Sequence, residues 1–377
     1  MTRRQAAIWL VALAALAAAM YLVIRQTRDL TDFEVYRTAG TRLLHAEPLY
    51  RAEDGHFVFK YLPAFAFGLV PFALLGSEAA KAAWFALTFA LLVAFIAGSV
   101  RALPNRRRPL GPLVALTLIV IARLAIRELS LGQIDVLLGA LLVAAFSATT
   151  RGARGVAGTL VGLATFAKPY AILLAPWLAA TVGAGALVAA VAAIVAGLAL
   201  PAIVYGWTGN LDLLAAWFRT VTETTAPNML LPENVSIVSA WARWIGAGPL
   251  AAGLAAATVI GLIALAAFVL TRREPVASPA YLEFALLLLL IPLLTPQGWD
   301  YMLLLGTPAI LCLLDRWRDL GRYWQLVVAA ALALIALPMR EVLGLAITRQ
   351  VMGSGILTVT ALVLVAALVQ LRLQRAA

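Results

Sequence analysis

The stretch AAKAAWFALTFALLVAFIAGS at residues 79–99 decides the class of fold. It holds 21 residues in a row with a single charged side chain, that of Lys81. An α-helix rises about 1.5 Å per residue, so a helix of this length crosses the hydrocarbon core of a bilayer, which is about 30 Å thick. A helix also pairs its own backbone hydrogen-bonding groups, which lipid chains cannot do. The stretch therefore predicts a transmembrane helix.

Further apolar runs continue on both sides of this stretch towards the two ends of the chain. Hydrophobic residues make up 63% of the 377 residues and charged residues 12%, and the mean hydropathy is +0.95. A water-soluble protein of this composition would expose large apolar patches. We therefore predict an all-α polytopic membrane protein whose first span is not a cleaved signal, since no clear cleavage site follows it. The predicted spans are residues 5–24, 79–99, 110–126, 132–149, 155–168, 169–184, 186–206, 249–271, 279–295, 300–314, 323–339 and 352–371.

Basic residues occur in short clusters between the apolar runs, and such clusters mark cytoplasmic loops. The clusters are Arg3 with Arg4, Arg101 with Arg106, Arg107 and Arg108, Arg151 with Arg154, Arg272 with Arg273, Arg316 with Arg318 and Arg322, and Arg372 with Arg375. All of them lie inside if residues 61–75 lie along the outer surface instead of spanning the membrane. This arrangement gives about twelve transmembrane helices with both termini in the cytoplasm. It predicts a single membrane domain over residues 1–377, with large outer loops at 25–78 and 207–248.

The first outer loop carries the leading candidates for catalysis. Asp29, Asp32 and Tyr36 share one face if this stretch is helical, because they are spaced by three and four residues. A carboxylate at the membrane boundary, near aromatic and basic groups, could take a proton from a hydroxyl as a general base. Glu34 points to a different face and is the second candidate base. The alternative for Asp32 is a solvated charge beside the membrane, or a helix cap.

Several polar residues near the ends of later spans could bind an anionic ligand. Arg127 could bind a phosphate or pair with the adjacent Glu128. Lys168 precedes a helix-breaking proline and could bind a phosphate head group or extend to the membrane surface. Gln133 and Asp135 could hydrogen-bond a polar ligand or join helices. Charges at membrane depth are costly, so these placements suggest a function.

The second outer loop contains Asn234, Ser236 and Arg243 at the start of an amphipathic stretch with Trp241 and Trp244. These polar residues could contact a ligand. The stretch could also be an interfacial helix with aromatic anchors. Both interpretations can hold at once.

Composition and motifs argue against other classes of protein. The net charge is +11, but the basic residues do not form a face with interleaved aromatics, so we predict no nucleic-acid partner. The single cysteine, Cys312, lies in an apolar run and cannot form a disulfide framework or a thiolate cluster. The two histidines, His45 and His56, would need carboxylates from elsewhere to hold a metal, and we predict neither a metal nor a cofactor. The sequence lacks motifs for nucleotide binding and zinc hydrolysis.

Beyond single residues, short motifs follow one another in a characteristic order along most of the chain. They are Asp32-Phe33-Glu34-Val35-Tyr36, Leu43-Leu44, Pro48-Leu49-Tyr50, Tyr61-Leu62-Pro63, Gly132-Gln133-Ile134-Asp135, Lys168-Pro169, Asn234-Val235-Ser236 with Arg243, and residues 296–301 around Trp299. Together they resemble the signature of glycosyltransferase family 87, the polyprenyl-phosphate-mannose-dependent mannosyltransferases. Each motif is short, and their order and placement in loops make the resemblance specific.

The resemblance implies the GT-C architecture, an all-helical membrane fold whose first outer loop carries juxtamembrane helices and the catalytic carboxylate. The implied reaction is inverting transfer of a hexose, mannose in that family, from a polyprenyl-phosphate donor to a lipid or glycan acceptor. It would take place on the outer face of the cell membrane, with Asp32 as general base and Glu34 as the other candidate. The residues implied in binding the donor phosphate or substrate are Tyr36, Tyr61, Arg127, Gln133, Lys168, Asn234, Arg243, Trp299 and Asp300.

One residue departs from the family pattern. Family members often carry a histidine just after the tryptophan of the late outer corner, where this chain has Asp300 followed by Tyr301. Asp300 could supply a second carboxylate or cap the following helix. The replacement leaves the identity of the acceptor open.

Two other classes of function compete with sugar transfer. A secondary transporter or lipid flippase would also suit about twelve helices with charges inside the membrane. Against it, the two halves of the sequence show no correspondence, and the polar residues cluster at outer corners rather than at the midplane. A structural protein whose transferase site has decayed is the third possibility.

Overall fold

The fold is that of a computed structural model, which describes residues 3–27, 30–271 and 279–374. Asp29 of the predicted catalytic face lies outside the described residues, as do Arg272, Arg273 and Arg375 of the basic clusters. Within the described residues the chain is helical and contains no β-strand, only one isolated antiparallel bridge between Asn234 and Trp299. The prediction of an all-helical protein is confirmed.

The α-helices are α1 (Arg3–Thr27), α2 (Thr31–Leu44), α3 (Val70–Ala73), α4 (Ser77–Ala102), α5 (Leu110–Leu131), α6 (Asp135–Thr150), α7 (Arg154–Ala167), α8 (Ala175–Thr181), α9 (Ala184–Ala199), α10 (Ala202–Asn228), α11 (Ile237–Ile245), α12 (Pro249–Thr271), α13 (Pro279–Leu294), α14 (Thr307–Asp315), α15 (Arg322–Ala336), α16 (Arg340–Gly353) and α17 (Ile356–Leu373). Short 3₁₀ helices form at Ala52–Phe57, Pro63–Leu69, Pro169–Leu174, Asp300–Gly306 and Trp317–Asp319.

Four helices of the described residues, α4, α5, α12 and α17, are long and apolar enough to cross a membrane. The bent pair α9 and α10 would add a fifth if it were one span. Every one of the twelve predicted spans falls on helical structure, but most of these helices are shorter, as in α6, α7 and α13. The count of twelve spans is therefore not confirmed.

The two predicted outer loops are themselves rich in helix. Residues 25–78 contain α2, α3 and the 3₁₀ helix Pro63–Leu69, so the segment expected to lie along the surface is helical. Residues 207–248 contain most of α10 and all of α11.

Small residues allow α7 and α9 to pack closely. A Cβ atom at Gly158 would lie 1.9 Å from the carbonyl oxygen of Ala186, and one at Gly162 would lie 2.7 Å from that of Ala190. Glycines four residues apart let two helix backbones approach each other, which favours association inside a membrane. This contact fixes α9 within the helical bundle.

Helix α13 forms the centre of the bundle, because all of its side chains from residue 281 to residue 293 are buried. It carries Glu283, which lies 2.8 Å from Arg372 of α17 and accepts a hydrogen bond of 3.2 Å from the indole of Trp177. A buried charge needs such a partner, since an unpaired one would be expensive to keep out of water. The pair therefore joins α17 to the core.

Helix α2 is attached to the bundle through aromatic side chains. Phe33 stacks on Trp84 of α4 with ring centroids 5.1 Å apart, and the indole of Trp84 donates a hydrogen bond of 2.8 Å to the carbonyl of Gly132. Gly132 ends α5 with a φ of 74°, and a Cβ there would lie 2.9 Å from that of Phe33. A side chain would be strained and crowded at this position, so glycine allows α2 to pack against the turn between α5 and α6.

Candidate active site

A cavity of about 660 Å³ lies between α2, the ends of α5 and α7, and α10. Most of the predicted site residues line it, namely Asp32, Tyr36, Tyr61, Arg127, Gln133, Lys168 and Trp299. The lining also includes His56, Lys60, Glu233, Gln297 and Tyr301, together with apolar side chains such as Leu131, Trp217, Val221 and Leu231. Residues far apart in sequence thus meet around one polar centre with apolar walls.

Asp32 is held in place by a chain of hydrogen bonds. The amide nitrogen of Gln133 donates to its carboxylate, and the hydroxyl of Tyr36 donates to the amide oxygen of Gln133 at 3.1 Å. The hydroxyls of Tyr36 and Tyr61 lie 2.7 Å apart. Because Tyr36 occupies the oxygen of Gln133, the NH₂ group faces Asp32. The chain therefore fixes the orientation of the carboxylate.

The surroundings of Asp32 favour proton uptake. Burial raises the pKa of Asp32, and the hydrogen bond from Gln133 and the charges of His56, Lys60 and Lys168 offset this only in part. The pKa of Asp32 consequently stays above the ordinary value of an aspartate. A carboxylate of raised pKa facing a cavity is suited to act as a general base.

Glu34, the second candidate base, lies on the other side of α2 and does not line this cavity. Its carboxylate lies 2.9 Å from Arg37 and 3.2 Å from Lys81, and Ser77 donates a further hydrogen bond of 3.2 Å. Burial raises the pKa of Glu34, but the hydrogen bonds from Arg37 and Lys81 outweigh it, so the pKa is lowered overall. Glu34 thus forms ion pairs with Arg37 and Lys81, and it lines a separate cavity of about 360 Å³.

Arg127 does not pair with its neighbour Glu128, which was one of the two predicted alternatives. Its Nε atom lies 3.3 Å from Asp300, and an Nη atom lies 3.8 Å from Glu233. Glu128 is fully buried and accepts a hydrogen bond of 3.0 Å from the backbone amide of Val136 at the start of α6. Arg127 is thus directed into the cavity, while Glu128 stabilises a helix end.

Lys168 stands at the break between α7 and the following 3₁₀ helix. It takes an extended conformation, with φ −146° and ψ 123°, as expected of a residue before proline. Its ammonium group lies 2.9 Å from Asp135 and 5.8 Å from the centre of the Tyr301 ring. The side chain therefore points into the cavity instead of extending to the membrane surface.

Lys60 is a cation of the cavity that the sequence analysis did not single out. Among the described residues its ammonium group has no salt bridge and no hydrogen bond, but it interacts electrostatically with the carboxylate of Asp32. Burial lowers the pKa of Lys60, and Asp32 partly counteracts this. The Lys60 carbonyl accepts a hydrogen bond of 3.1 Å from the indole of Trp217 in α10, which holds this part of the backbone. The carboxylates that pair with Arg127 and Lys168 lie far from them in the sequence. The sequence around Lys60 therefore gives no sign that Lys60 lacks such a partner.

Trp299 lines the cavity, whereas Asp300 lies behind its wall and is completely buried. Asp300 is 2.5 Å from Arg123 and 3.3 Å from Arg127, so it helps to orient Arg127 and does not itself line the cavity. The backbone amide of Asp300 donates to the carbonyl of Glu233 at 2.8 Å. This backbone pairing joins the late corner to the segment before α11. The structure therefore shows Asp300, predicted to bind substrate, as a buried partner of two arginines outside the cavity lining.

Asn234 and Arg243, predicted to bind substrate, do not line the cavity. The amide of Asn234 donates to the carbonyls of Asn228 and Pro296, at 3.2 and 3.0 Å. Arg243 donates to backbone carbonyls, among them that of Met352 at 3.1 Å. Both side chains thus donate hydrogen bonds to backbone carbonyls of segments outside the cavity lining.

Neither histidine forms part of a metal cluster within the described residues. His45 is exposed, with its Nδ1 2.9 Å from the carbonyl of Thr41, while His56 borders the cavity. In these parts of the chain no group of three or more His, Cys, Asp or Glu is arranged to hold a metal ion.

Comparison with known proteins bears on what this cavity does. The sequence model of glycosyltransferase family 87 matches residues 59–296, more than half of the chain. No protein of curated function matches the chain, and no solved structure does either. The family match covers the cavity residues from Lys60 to Thr295, and the apolar helices around them agree with a protein that resides in a membrane. The chain belongs to glycosyltransferase family 87 and is a membrane glycosyltransferase.

Proposed function

We propose that the protein transfers a hexose, mannose in the first instance, from a polyprenyl-phosphate donor to a hydroxyl of a lipid or glycan acceptor. Asp32 acts as the general base of an inverting reaction. The observation that carries the proposal is the placement of Asp32, oriented by Gln133, in the same cavity as Arg127 and Lys168.

The bond changes of the proposed reaction follow from these positions. The acceptor oxygen attacks the anomeric carbon from the side opposite the phosphate, and its proton passes to Asp32. The bond from the anomeric carbon to the phosphate oxygen breaks, and the electron pair leaves with the lipid phosphate. Attack from the opposite side inverts the configuration of the sugar. No covalent sugar intermediate is needed.

Three cations lining the cavity are available to stabilise the departing phosphate. Arg127 and Lys168 already have carboxylate partners, Asp300 and Asp135, which hold them in position. Lys60 has no salt bridge among the described residues, so its ammonium group is available to pair with an incoming anion. Fixed cations aimed at developing negative charge are an effective means of stabilising a transition state. We assign the phosphate to this side of the cavity.

The apolar part of the lining suits the polyprenyl chain. Leu131, Trp217, Val221 and Leu231 adjoin the polar centre. A donor whose phosphate lies against the three cations would place its first isoprene units against these side chains. The reaction then needs no nucleotide-binding site.

The orientation of the site follows from the position of the basic clusters. Helix α5 starts next to Arg106, Arg107 and Arg108 and ends at the cavity, and its 22 residues extend about 33 Å. At the starting end, the backbone amides of Arg107 and Arg108 donate to Asp315, at 3.0 and 2.8 Å. Two basic clusters thus meet at one end of the bundle. Since basic clusters favour the cytoplasm, we place the cavity on the outer face and both termini inside.

The proposal is tested by sugar transfer from radiolabelled polyprenyl-phosphate mannose into a host lipid extract, with purified protein. Asp32→Asn should lower the rate by about 10²–10⁴, the usual contribution of a general base. The matched control is Glu34→Gln, which changes a carboxylate two residues away outside the cavity and should retain most activity. Transfer by Asp32→Asn at the wild-type rate would refute the role of Asp32. Absence of product from the wild type with every lipid-linked sugar tried would refute sugar transfer from such donors.

A further inference from the structure

Helix α10 leaves the bundle at the edge of the cavity. Its axis makes an angle of 90° with that of α9, with the break at residues 200–201, and Gly206 takes a φ of 70° within the first turns. Helix α9 is fixed in the bundle by its close contact with α7 at Gly158 and Gly162. If α9 runs along the bundle, α10 must run across it.

The side chains of α10 after Gly206 fall on three separate faces. A residue turns about 100° around a helix axis, which places Trp207, Leu211 and Phe218 within about 40° of each other. These large apolar side chains are 70%, 63% and 65% exposed. Such a row of exposed apolar groups would be unfavourable in water.

The other two faces differ in character. Leu213, Trp217 and Val221 lie about 100° to one side of the apolar row, and of these Trp217 and Val221 line the cavity. Asp212, Arg219 and Glu223 lie about 120° to the other side and are exposed. One face therefore covers the cavity, one is apolar and uncovered, and one is charged. The three charged side chains of the last face lie within a stretch of twelve residues, 212–223.

We propose that α10 lies flat on the membrane surface, with Trp207, Leu211 and Phe218 inserted among the acyl chains just below the head groups. A helix whose apolar and charged side chains lie on separate faces binds a lipid surface in this orientation. A spanning orientation would instead bring the charged face into the hydrocarbon core, which is costly.

The occupant of the apolar face is lipid because the face continues a lipid-facing surface. Three valines of α9, Val188, Val191 and Val195, are 66%, 50% and 59% exposed. These valines repeat at helical spacing on the side of α9 away from its glycine-mediated contact. Ile203, at the start of α10, is 80% exposed and extends the apolar surface around the bend.

This placement sets the depth of the cavity. Since Trp217 and Val221 belong to the same helix as the membrane-inserted row, the cavity that they line beside this helix lies at the level of the lipid head groups. A lipid-linked phosphate resides at this depth, so a donor could reach the three cations without its chain leaving the bilayer. This consequence rests on the proposed function, whereas the position of α10 does not.

Spin labels test the position directly. The only cysteine, Cys312, is buried, so a Cys312→Ala protein provides the background. Single cysteines are introduced by Leu211→Cys and Phe218→Cys on the apolar face, and by Asp212→Cys and Glu223→Cys on the charged face. The labelled full-length protein is placed in phosphatidylcholine–phosphatidylglycerol vesicles, and collisions with oxygen and with a water-soluble nickel chelate are compared.

We expect labels at 211 and 218 to collide mainly with oxygen at a shallow depth, and labels at 212 and 223 mainly with the nickel chelate. Nickel accessibility at all four positions would overturn the proposal, because α10 would then stand free of the membrane. Oxygen preference at 212 and 223 as well would also overturn it, because α10 would then span the bilayer.

A transfer assay tests the consequence for the donor. The double variant Leu211→Ser with Phe218→Ser should raise the donor KM about tenfold for a long polyprenyl chain. It should leave the KM for a short, water-soluble isoprenyl donor unchanged. The matched control, Asp212→Ser with Glu223→Ser, should alter neither. If the wild type transfers no sugar, the proposed function fails, but the spin-label result still decides the position of α10.

Discussion

Asp300 lies in a buried cluster with Arg123 and Arg127. Substitutions in this cluster should change the stability and the activity of the protein independently. Asp300→Asn removes the negative charge that lies 2.5 Å from Arg123 and 3.3 Å from Arg127, while the volume of the side chain stays nearly the same. Arg123 is only 7% exposed and would keep a charge without compensation. Breaking a buried ion pair from one side costs about 3–5 kcal/mol.

This cost can be converted into a melting temperature. An unfolding entropy of about 2.1 cal/mol/K per residue gives about 0.8 kcal/mol/K for 377 residues, so Tm should fall by about 4–6 °C. The measurement is thermal unfolding of the purified protein in detergent. The control is Asp319→Asn, which breaks the ion pair with Arg107, a side chain that is 52% exposed. An exposed pair contributes about 0–1 kcal/mol, so this Tm should change by at most about 1 °C.

A second substitution distinguishes the two roles of Asp300. Adding Arg123→Met to Asp300→Asn removes the uncompensated charge, and apolar replacement of a buried pair is often neutral for stability. Tm should therefore recover most of its loss. Activity should not recover, since Arg127 still lacks the carboxylate that orients it towards the cavity. Equal Tm values for Asp300→Asn and Asp319→Asn, or full activity of the double variant, would refute this account.

Two further predictions concern packing and pH. Gly158→Leu should strongly lower the thermal stability in detergent, because even a Cβ would lie 1.9 Å from the carbonyl oxygen of Ala186. Gly155→Ala should be neutral, because a Cβ at Gly155 would have no atom within 4 Å. Equal stability of the two variants would contradict the close contact of α7 and α9. The transfer rate should fall as the pH drops through the raised pKa of Asp32, since the protonated carboxyl cannot accept a proton. Lys60→Gln should move this acidic limb of the pH–rate profile to higher pH, because the positive charge that lowers the pKa of Asp32 is lost. An unmoved limb would show that Lys60 does not act on Asp32.

Of the site residues predicted from the sequence, the structure brings some together around one cavity and keeps others apart from it. Asp32, Tyr36, Gln133 and Lys168 do line one cavity. Helical periodicity already separated Glu34 from Asp32, since two residues turn about 200° around the axis. The sequence did not show that Asn234 and Arg243 lie outside the cavity lining, because a polar side chain in an apolar chain either binds a ligand or satisfies buried backbone groups, and both uses leave the same residue types in the sequence.

The sequence by itself determined the class of the protein, the apolar stretches that form helices and the family. These properties are local or additive, because the length of an apolar run and the order of short motifs do not depend on what packs against them. Ion-pair partners and exposed faces are different, because they depend on residues brought together by folding. Lys168 meets Asp135 and Arg127 meets Asp300 across long stretches of chain, while Lys60 receives no such partner among the described residues. The tertiary structure alone therefore decided which cation of the cavity lacks a carboxylate partner among the described residues, and which side of α10 faces the cavity.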